Sequence, residues 1–310
     1  MSIHVLCLNP AVDKLYWIDG FAPGEVYTGQ TPRVSAGGKG VNVARVLCQL
    51  GEAPRLYAFL GERGGEEIER EMGARCDCAF VRVPGSCRTT LNVVDRASGR
   101  ETVVSEAGPR VDGAHVKALE AALEENVRPG DLVCCSGSVI AGAPEDIYAR
   151  VSRLCGALGA RCVLDCNAKA LGASLKDARY ALGKPNAREL ADHLRLPETT
   201  DPREVARMAR KLTPPYEALL VSMGARGGVL VGKDGAFAAS VPPVRVVSTV
   251  GCGDASLAGA LYAMARGMDA KEMLCLSMAC GAACAAGERP GSVEKEDVER
   301  FVEKISVYTL

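Results

Sequence analysis

Short β-branched runs alternate with helical patterns along most of this chain, and that alternation leaves few folds open. Val5–Leu8, Leu132–Ser136, Cys162–Asp165, Ala181–Gly183 and Ala218–Ser222 are short apolar runs bounded by turn residues. Between them lie the amphipathic segments Val41–Leu50, Val116–Asn126, Glu145–Leu158, Ala187–Leu194 and Arg203–Leu212. Strands that alternate with helices predict an α/β fold with a mostly parallel sheet covered on both faces. No repeat or low-complexity linker interrupts the 310 residues, so one domain over residues 1–310 is expected.

Two regions break the rhythm. Residues 12–34 and about 87–104 are turn-rich and strand-like, with alternation in Thr89-Thr90-Leu91-Asn92-Val93-Val94, and neither has helical periodicity. They read as an antiparallel flap inserted between βα units. Such a flap over the carboxyl edge of a sheet acts as a lid, or else is an ordinary surface hairpin.

Composition removes several classes of function. Lys and Arg number 37 against 38 Asp and Glu, a net charge of −1, so nucleic acid and anionic membranes are not expected partners. Aromatic residues make up only 5 %, too few for a base-stacking platform. The 14 cysteines lie in apolar segments (Cys7, Cys48, Cys134, Cys135, Cys162, Cys275, Cys280 and Cys284 among them), with no Cys-x-x-Cys pair and only 3 histidines. That pattern argues against a zinc site and for free thiols in a reducing cytosol. Met1–Leu8 reads as a first strand, and Met273–Ala286 is shorter than the roughly 20 residues of a membrane span, so a cytoplasmic protein is expected.

Five segments carry the residue types of a chemical site. Ser35-Ala36-Gly37-Gly38-Lys39-Gly40-Val41-Asn42 sets three glycines and a lysine before a helix, where backbone can approach a ligand closely. Gly40 follows Lys39 where a Walker A loop needs Ser or Thr, so that motif is excluded. Asn42 lies four residues after Gly38 and faces the same side one turn on. Asp13, placed at the end of the first strand, can accept from sugar hydroxyls or simply hold a turn.

In Val247-Ser248-Thr249-Val250-Gly251-Cys252-Gly253-Asp254, one carboxylate stands beside two glycines where a helix begins. Unpaired amides there attract an anion, and the carboxylate can take a proton. In Lys184-Pro185-Asn186-Ala187-Arg188-Glu189, Asn186 and Glu189 are expected on one helix face, suited to a magnesium-bound phosphate through water. Val221-Ser222-Met223-Gly224-Ala225-Arg226-Gly227-Gly228 is a strand followed by a glycine turn on which a nucleotide can lie. A thiol at a helix start has a lowered pKa, so Cys252 is expected to react with thiol reagents and to be protected by a bound nucleotide.

In this order and spacing the five segments resemble the ribokinase-like sugar kinases, the PfkB family. Gly37-Gly38-Lys39-Gly40-Val41-Asn42 matches the first family signature and Thr249–Asp254 the second, with Ser136-Gly137-Ser138, Lys184–Glu189 and Ser222-Met223-Gly224 between them. The resemblance implies a three-layer α/β sandwich with a mostly parallel central sheet and a small β lid. It implies Asp254 as catalytic base and the N–H groups of Gly251, Cys252 and Gly253 as an anion hole for the transferring phosphoryl group. Asp13, Gly37, Gly38, Lys39, Asn42 and Ser138 would hold the sugar. Lys184, Asn186, Thr249 and Ser222 to Gly227 (with Met223, Gly224, Ala225 and Arg226), together with the Met273–Ala286 helix, would hold ATP. Asn186 and Glu189 would steady Mg2+.

The opening Leu8-Asn9-Pro10-Ala11-Val12-Asp13, and Ser248 where ribokinase-type members carry aspartate, resemble the phosphohexose branch, of 1-phosphofructokinase and tagatose-6-phosphate kinase type. A second phosphate needs cations, which Lys39 and Arg88 would supply. D-Fructose 1-phosphate is the favoured acceptor, then tagatose 6-phosphate, then fructose 6-phosphate. A nucleoside or free-sugar kinase and a silent sugar-binding regulatory protein are the other readings. Cys252 stands where the family usually has alanine, and Ile140 where it has proline. The resemblance also allows a homodimer through the lid strands, although edge strands can protect themselves.

Overall fold

The computed structural model describes residues 1–165 and 172–310. Its first strands are β1 (Ile3–Cys7), β2 (Ala11–Ile18) and β3 (Arg33–Gly37), followed by helix α1 (Lys39–Gln49), β4 (Arg55–Arg63), α2 (Gly65–Gly73) and β5 (Asp77–Ser86). Then come β6 (Arg88–Asp95), β7 (Glu101–Ser105), α3 (Gly113–Asn126), β8 (Leu132–Ser136), α4 (Ile147–Ala157), β9 (Arg161–Asp165) and β10 (Leu182–Gly183). The last part runs α5 (Ala187–Leu194), α6 (Pro202–Arg210), β11 (Ala218–Ser222), β12 (Gly228–Gly232), β13 (Gly235–Ser240), α7 (Cys252–Ala265), α8 (Ala270–Ala286), α9 (Lys295–Val302) and β14 (Ser306–Thr309).

The large sheet has ten strands in the order β14-β13-β12-β11-β10-β9-β8-β1-β4-β5. It is parallel from β11 through β5 and antiparallel from β11 out to β14. Period-2 alternation sends Leu6, Val133 and Cys135 into one core and Val5, Cys7, Leu132 and Cys134 into the other. Helices α3 to α6 cover the first face; α1, α2, α7, α8 and α9 cover the second. Helix α7 packs between α1 and α8, so its Ala255, Leu257, Ala258, Ala260, Leu261 and Ala263 are all buried and no amphipathic stripe is needed.

Helices over Val41–Leu50, Val116–Asn126, Glu145–Leu158, Ala187–Leu194 and Arg203–Leu212 form within two or three residues of the sequence reading. Strands β4, β5, β13 and β14 carry no separate signal of the kind used above. The β12–β13 hairpin turns on Gly232-Lys233-Asp234-Gly235; β13 lacks a β-branched run, whereas the Val229-Leu230-Val231 run of β12 was passed over.

A second sheet, ordered β3-β2-β6-β7, comes from the two turn-rich regions. It is not wholly antiparallel as expected. β2 pairs with β6 in parallel, while β3 and β7 flank them antiparallel. The reason is connectivity: a whole β3-α1-β4-α2-β5 excursion separates β2 from β6, and a crossover that long permits a parallel pair. Asp13 is corrected with it. The first strand ends at Cys7, and Asp13 is the third residue of β2, on the small sheet.

Candidate active site

Strands β1, β8, β9, β10 and β11 point their carboxyl ends at one cavity of about 740 Å3, the position where open α/β sheets bind ligands. Asp13, Arg88, Thr90, Asn92 and Ser105 line it from the small sheet, and Gly38, Lys39 and Asn42 from the start of α1. Lys184, Asn186 and Ser222 line it from the strand ends, Glu189 from the first turn of α5, Gly224, Ala225 and Gly227 from the turn after β11, and Thr249–Asp254 from the start of α7. Met278, Gly281, Ala282 and Ala285 of α8 form an apolar wall. A second cavity of about 650 Å3 lies at the amino-terminal edge of β10 and β11, far from these groups.

Helix α7 starts from Gly251, whose φ of +79° an L side chain rarely adopts. A Cβ there would also lie 2.4 Å from Gly291 Cα, so two backbones meet at this point. The Cys252 N–H makes a long 3.4 Å bond to Thr249 O, and the first-turn amides beyond it lack helical partners. Lys184, almost fully buried, brings its Nζ to 3.4 Å from where a Gly253 Cβ would sit. Amides and ammonium together make a place for a phosphoryl group.

Asp254 is 6 % exposed, and its Oδ2 accepts from Asn42 Nδ2 at 2.8 Å. Burial pushes its carboxyl up to about 6, against the pull of Lys39 and the Asn42 hydrogen bond; nearby Asp165 adds to the rise. Such a carboxylate is ionised near neutral pH yet basic enough to take a proton. Behind it Arg45, 1 % exposed, donates to Asn42 Oδ1 at 2.8 Å, to Glu71 Oε1 at 3.0 Å and to Gly291 O at 3.2 Å. Burial would raise the Glu71 carboxyl, but Arg45 and the Ala36 amide hold it below the usual range. Arg45 shares its helix face with Asn42 and Gln49, and the sequence reading passed over it.

Asp165 was also passed over. It closes the apolar run of β9 and is buried between two lysines, with Lys39 Nζ at 3.1 Å from Oδ1 and Lys184 Nζ at 3.9 Å from Oδ2. Burial opposes its charge, yet Lys184 and Lys39 keep its carboxyl below the ordinary value. Asp165 in turn keeps Lys39 firmly protonated. Asp13 is pushed up by burial and pulled down by its hydrogen bond to Thr90.

Several expected residues are placed differently. Gly37 does not line the cavity; a Cβ on it would sit 2.1 Å from the Asp13 carboxyl carbon, so the glycine makes room for that side chain. Ser138 stands outside, where its Oγ accepts from Asn9 Nδ2 at 3.4 Å. Met223 is buried in the core under the glycine turn, and Arg226 points to solvent. Asn186 and Glu189 do not project from one helix face. Asn186 caps α5, its Oδ1 accepting from Glu189 N at 2.8 Å while Glu189 Oε2 accepts from Asn186 N at 2.9 Å.

Cys252 lies against the Cys284 thiol; that contact, burial and the carboxylates of Asp254 and Glu101 push the Cys252 thiol up, while Cys284 is lowered by the same contact, so any thiolate is shared between the two sulfurs. Among the described residues no group of three or more His, Cys, Asp or Glu side chains is arranged to hold a metal ion directly, and no helix is long and apolar enough to cross a membrane.

The chain is similar to known proteins over nearly its whole length. Residues 6–296 match the model of the pfkB family carbohydrate kinases. The chain is 34 % identical to the 1-phosphofructokinase of Rhodobacter capsulatus, over 100 % of this chain and 98 % of that protein. Escherichia coli phosphofructokinase-2 superposes in its tetrameric inhibited form with a TM-score of 0.89 at 25 % identity, covering 98 % of each chain. In complex with substrates and products it superposes with a TM-score of 0.88 at 26 % identity, covering 98 % of this chain and 99 % of that one.

Proposed function

This chain belongs to the pfkB family of carbohydrate kinases, and we propose that it phosphorylates a hexose phosphate with ATP, D-fructose 1-phosphate before tagatose 6-phosphate and fructose 6-phosphate. The observation that carries this reading is Asp254 at the start of α7, in one cavity with the cations Lys39 and Arg88. Full-length similarity to a 1-phosphofructokinase supports the choice of acceptor.

Asp13 and Asn42 orient the sugar, and Asp254 takes the proton of its free hydroxyl. That oxygen then bonds to the γ-phosphorus as the bond to the β-phosphate oxygen breaks, leaving ADP. The amides of Gly251, Cys252 and Gly253, with Lys184, hold the oxygens of the transferring group. The nucleotide lies against Gly224, Ala225, Gly227 and the α8 wall. The small sheet acts as a lid, with Arg88 over the phosphate already on the sugar.

The residues present fit a magnesium ion carried on ATP. Asp165 Oδ2 is a buried carboxylate oxygen without a hydrogen-bond donor, and Glu189 keeps one oxygen outside its cap. These two would hold the hydrated ion, with Asn186 limited to placing Glu189. When bound, the ion neutralises charge on the phosphate oxygens.

Val34 and Val104 are exposed on β3 and β7, the two outer strands of the lid, and apolar residues on such edges fit a homodimer. Buried thiols packed as apolar side chains, such as Cys134 and Cys135, fit a reducing cytoplasm.

The test is ADP release with fructose 1-phosphate, tagatose 6-phosphate, fructose 6-phosphate, ribose and adenosine. The expected result is the highest kcat/KM on fructose 1-phosphate. A preference for ribose or adenosine, or no ADP with any acceptor, overturns the reading.

A further inference from the structure

Glu101 opens β7, the outer strand of the lid, and does not line the cavity. Its carboxylate instead gathers three donors from the loop that leads into the anion hole. Oε1 accepts from Ser248 Oγ at 2.6 Å and from the Thr249 N–H at 3.1 Å. Oε2 accepts from Thr249 Oγ1 at 2.7 Å. The network continues inward: the Val250 N–H donates to Ser248 Oγ at 3.2 Å, the Cys252 thiol to Ser248 O at 3.6 Å, and the Cys252 N–H to Thr249 O at 3.4 Å. Residues 248–252 are thus strung from one side chain that sits on another sheet.

That placement has a consequence for the reaction. The lid strand β6, paired to β7, carries Arg88, Thr90 and Asn92 over the sugar end of the cavity. The loop held by Glu101 sets the direction in which the amides of Gly251 to Gly253 point. A shift of about 1 Å in either part is costly to a transfer that depends on alignment. Hydrogen bonds to a carboxylate are the strong kind, and three on one group fix both position and orientation. Ser248 is 4 % exposed, so its bond to Glu101 is partly shielded from water, whereas the two Thr249 bonds are exposed.

We propose that Glu101 is a positioning residue that docks the lid on the anion-hole loop, bringing sugar and phosphoryl sites into register. The activity arm of its test rests on the kinase reading above; the exchange arm does not. Glu101→Ala, on an outer strand, leaves Tm near the wild-type value. It lowers kcat on the order of 10- to 100-fold, with KM for ATP changed about threefold or less. Glu101→Gln keeps an acceptor oxygen and recovers part of that loss. Ser248→Ala costs less in the Glu101→Ala background than in the wild type, as expected of contacting residues.

Without ligand, amide hydrogen exchange over residues 247–254 is faster in Glu101→Ala, whereas α3 exchanges as in the wild type. An unchanged kcat in an active protein overturns the positioning role, as does a kcat loss that tracks a fall in Tm. Unchanged exchange over 247–254 overturns the docking. A wild type inactive on every acceptor refutes the kinase reading instead, and the exchange comparison then decides the docking alone.

Discussion

Asn42 donates its side-chain amide to Asp254 Oδ2 at 2.8 Å, joining the two glycine-rich segments across 212 residues of sequence. Its orientation is fixed from behind. Arg45 can only donate, and it holds Asn42 Oδ1 at 2.8 Å, so the amide nitrogen must face Asp254. Glu71 fixes Arg45 in turn. A buried arginine thereby decides which atom of Asn42 the proposed catalytic carboxylate meets.

The pH profile should show this contact. Asp254 has a pKa near 6 and must be ionised to act as a base, so kcat/KM falls as pH drops through that value. Asn42 stabilises the charged form. Asn42→Leu removes the donor at similar volume, and the acid limb should move to higher pH. A limb at the same pH in both proteins would sever Asn42 from the base.

Replacing the base should separate activity from stability. Asp254→Asn is expected to lower turnover at least ~10³-fold while substrate still binds. The folded pKa of about 6 lies above the ordinary 3.8, so folding favours the protonated carboxyl. Stability therefore falls as pH rises from about 4 through 6, by about 2–3 kcal/mol. Asp254→Asn escapes that cost, and its Tm should exceed the wild-type value at pH 8 but not at pH 4. Equal melting temperatures at pH 8 would count against the buried, ionised carboxylate.

Gly37 tests the sugar end. An alanine Cβ there would lie 2.1 Å from Asp13 Cγ, and β2 and β3 are paired at this point, so the side chain must swing away. Gly37→Ala should raise KM for the sugar phosphate and leave KM for ATP unchanged. Steady-state kinetics with each substrate varied in turn will show it. A normal sugar KM would mean that Asp13 does not hold the sugar.

What the sequence made legible follows from the range of each interaction. Local patterns gave the helices other than α2 and α9, the β8 and β11 strands and the glycine starts of α1 and α7, because periodicity and backbone freedom are properties of neighbours. The Met273–Ala286 helix came to be expected at the nucleotide site through the family resemblance, not through a local pattern. Arg45, Asp165 and Glu101 were not legible. Each draws its role from a partner 26, 126 or 147 residues away, and no local pattern distinguishes it from an ordinary charge. Asn186 and Glu189 show the opposite error: their spacing fits a helix face and a capping box equally, and the backbone amides took the side chains first.

Lys39 and Arg88 look equivalent in the sequence, but the fold divides their work. Lys39 is committed to Asp165, whose 1 % exposed carboxylate would otherwise face Lys184 alone at 3.9 Å. Its loss disturbs the charge balance around Asp254, whatever sugar is bound. Arg88 spends Nε on Asn9 O and one terminal nitrogen on Ser105 and Thr90, and holds the rest of its guanidinium in the cavity. A charge-assisted contact to phosphate contributes about 1.5–3 kcal/mol, or roughly 10- to 150-fold. Arg88→Met should therefore lower kcat/KM for fructose 1-phosphate by that factor and leave the residual use of free fructose almost unchanged, whereas Lys39→Met should depress both. Parallel kinetics on the two sugars measure the difference, and equal losses on both sugars for Arg88→Met would remove it from phosphate recognition.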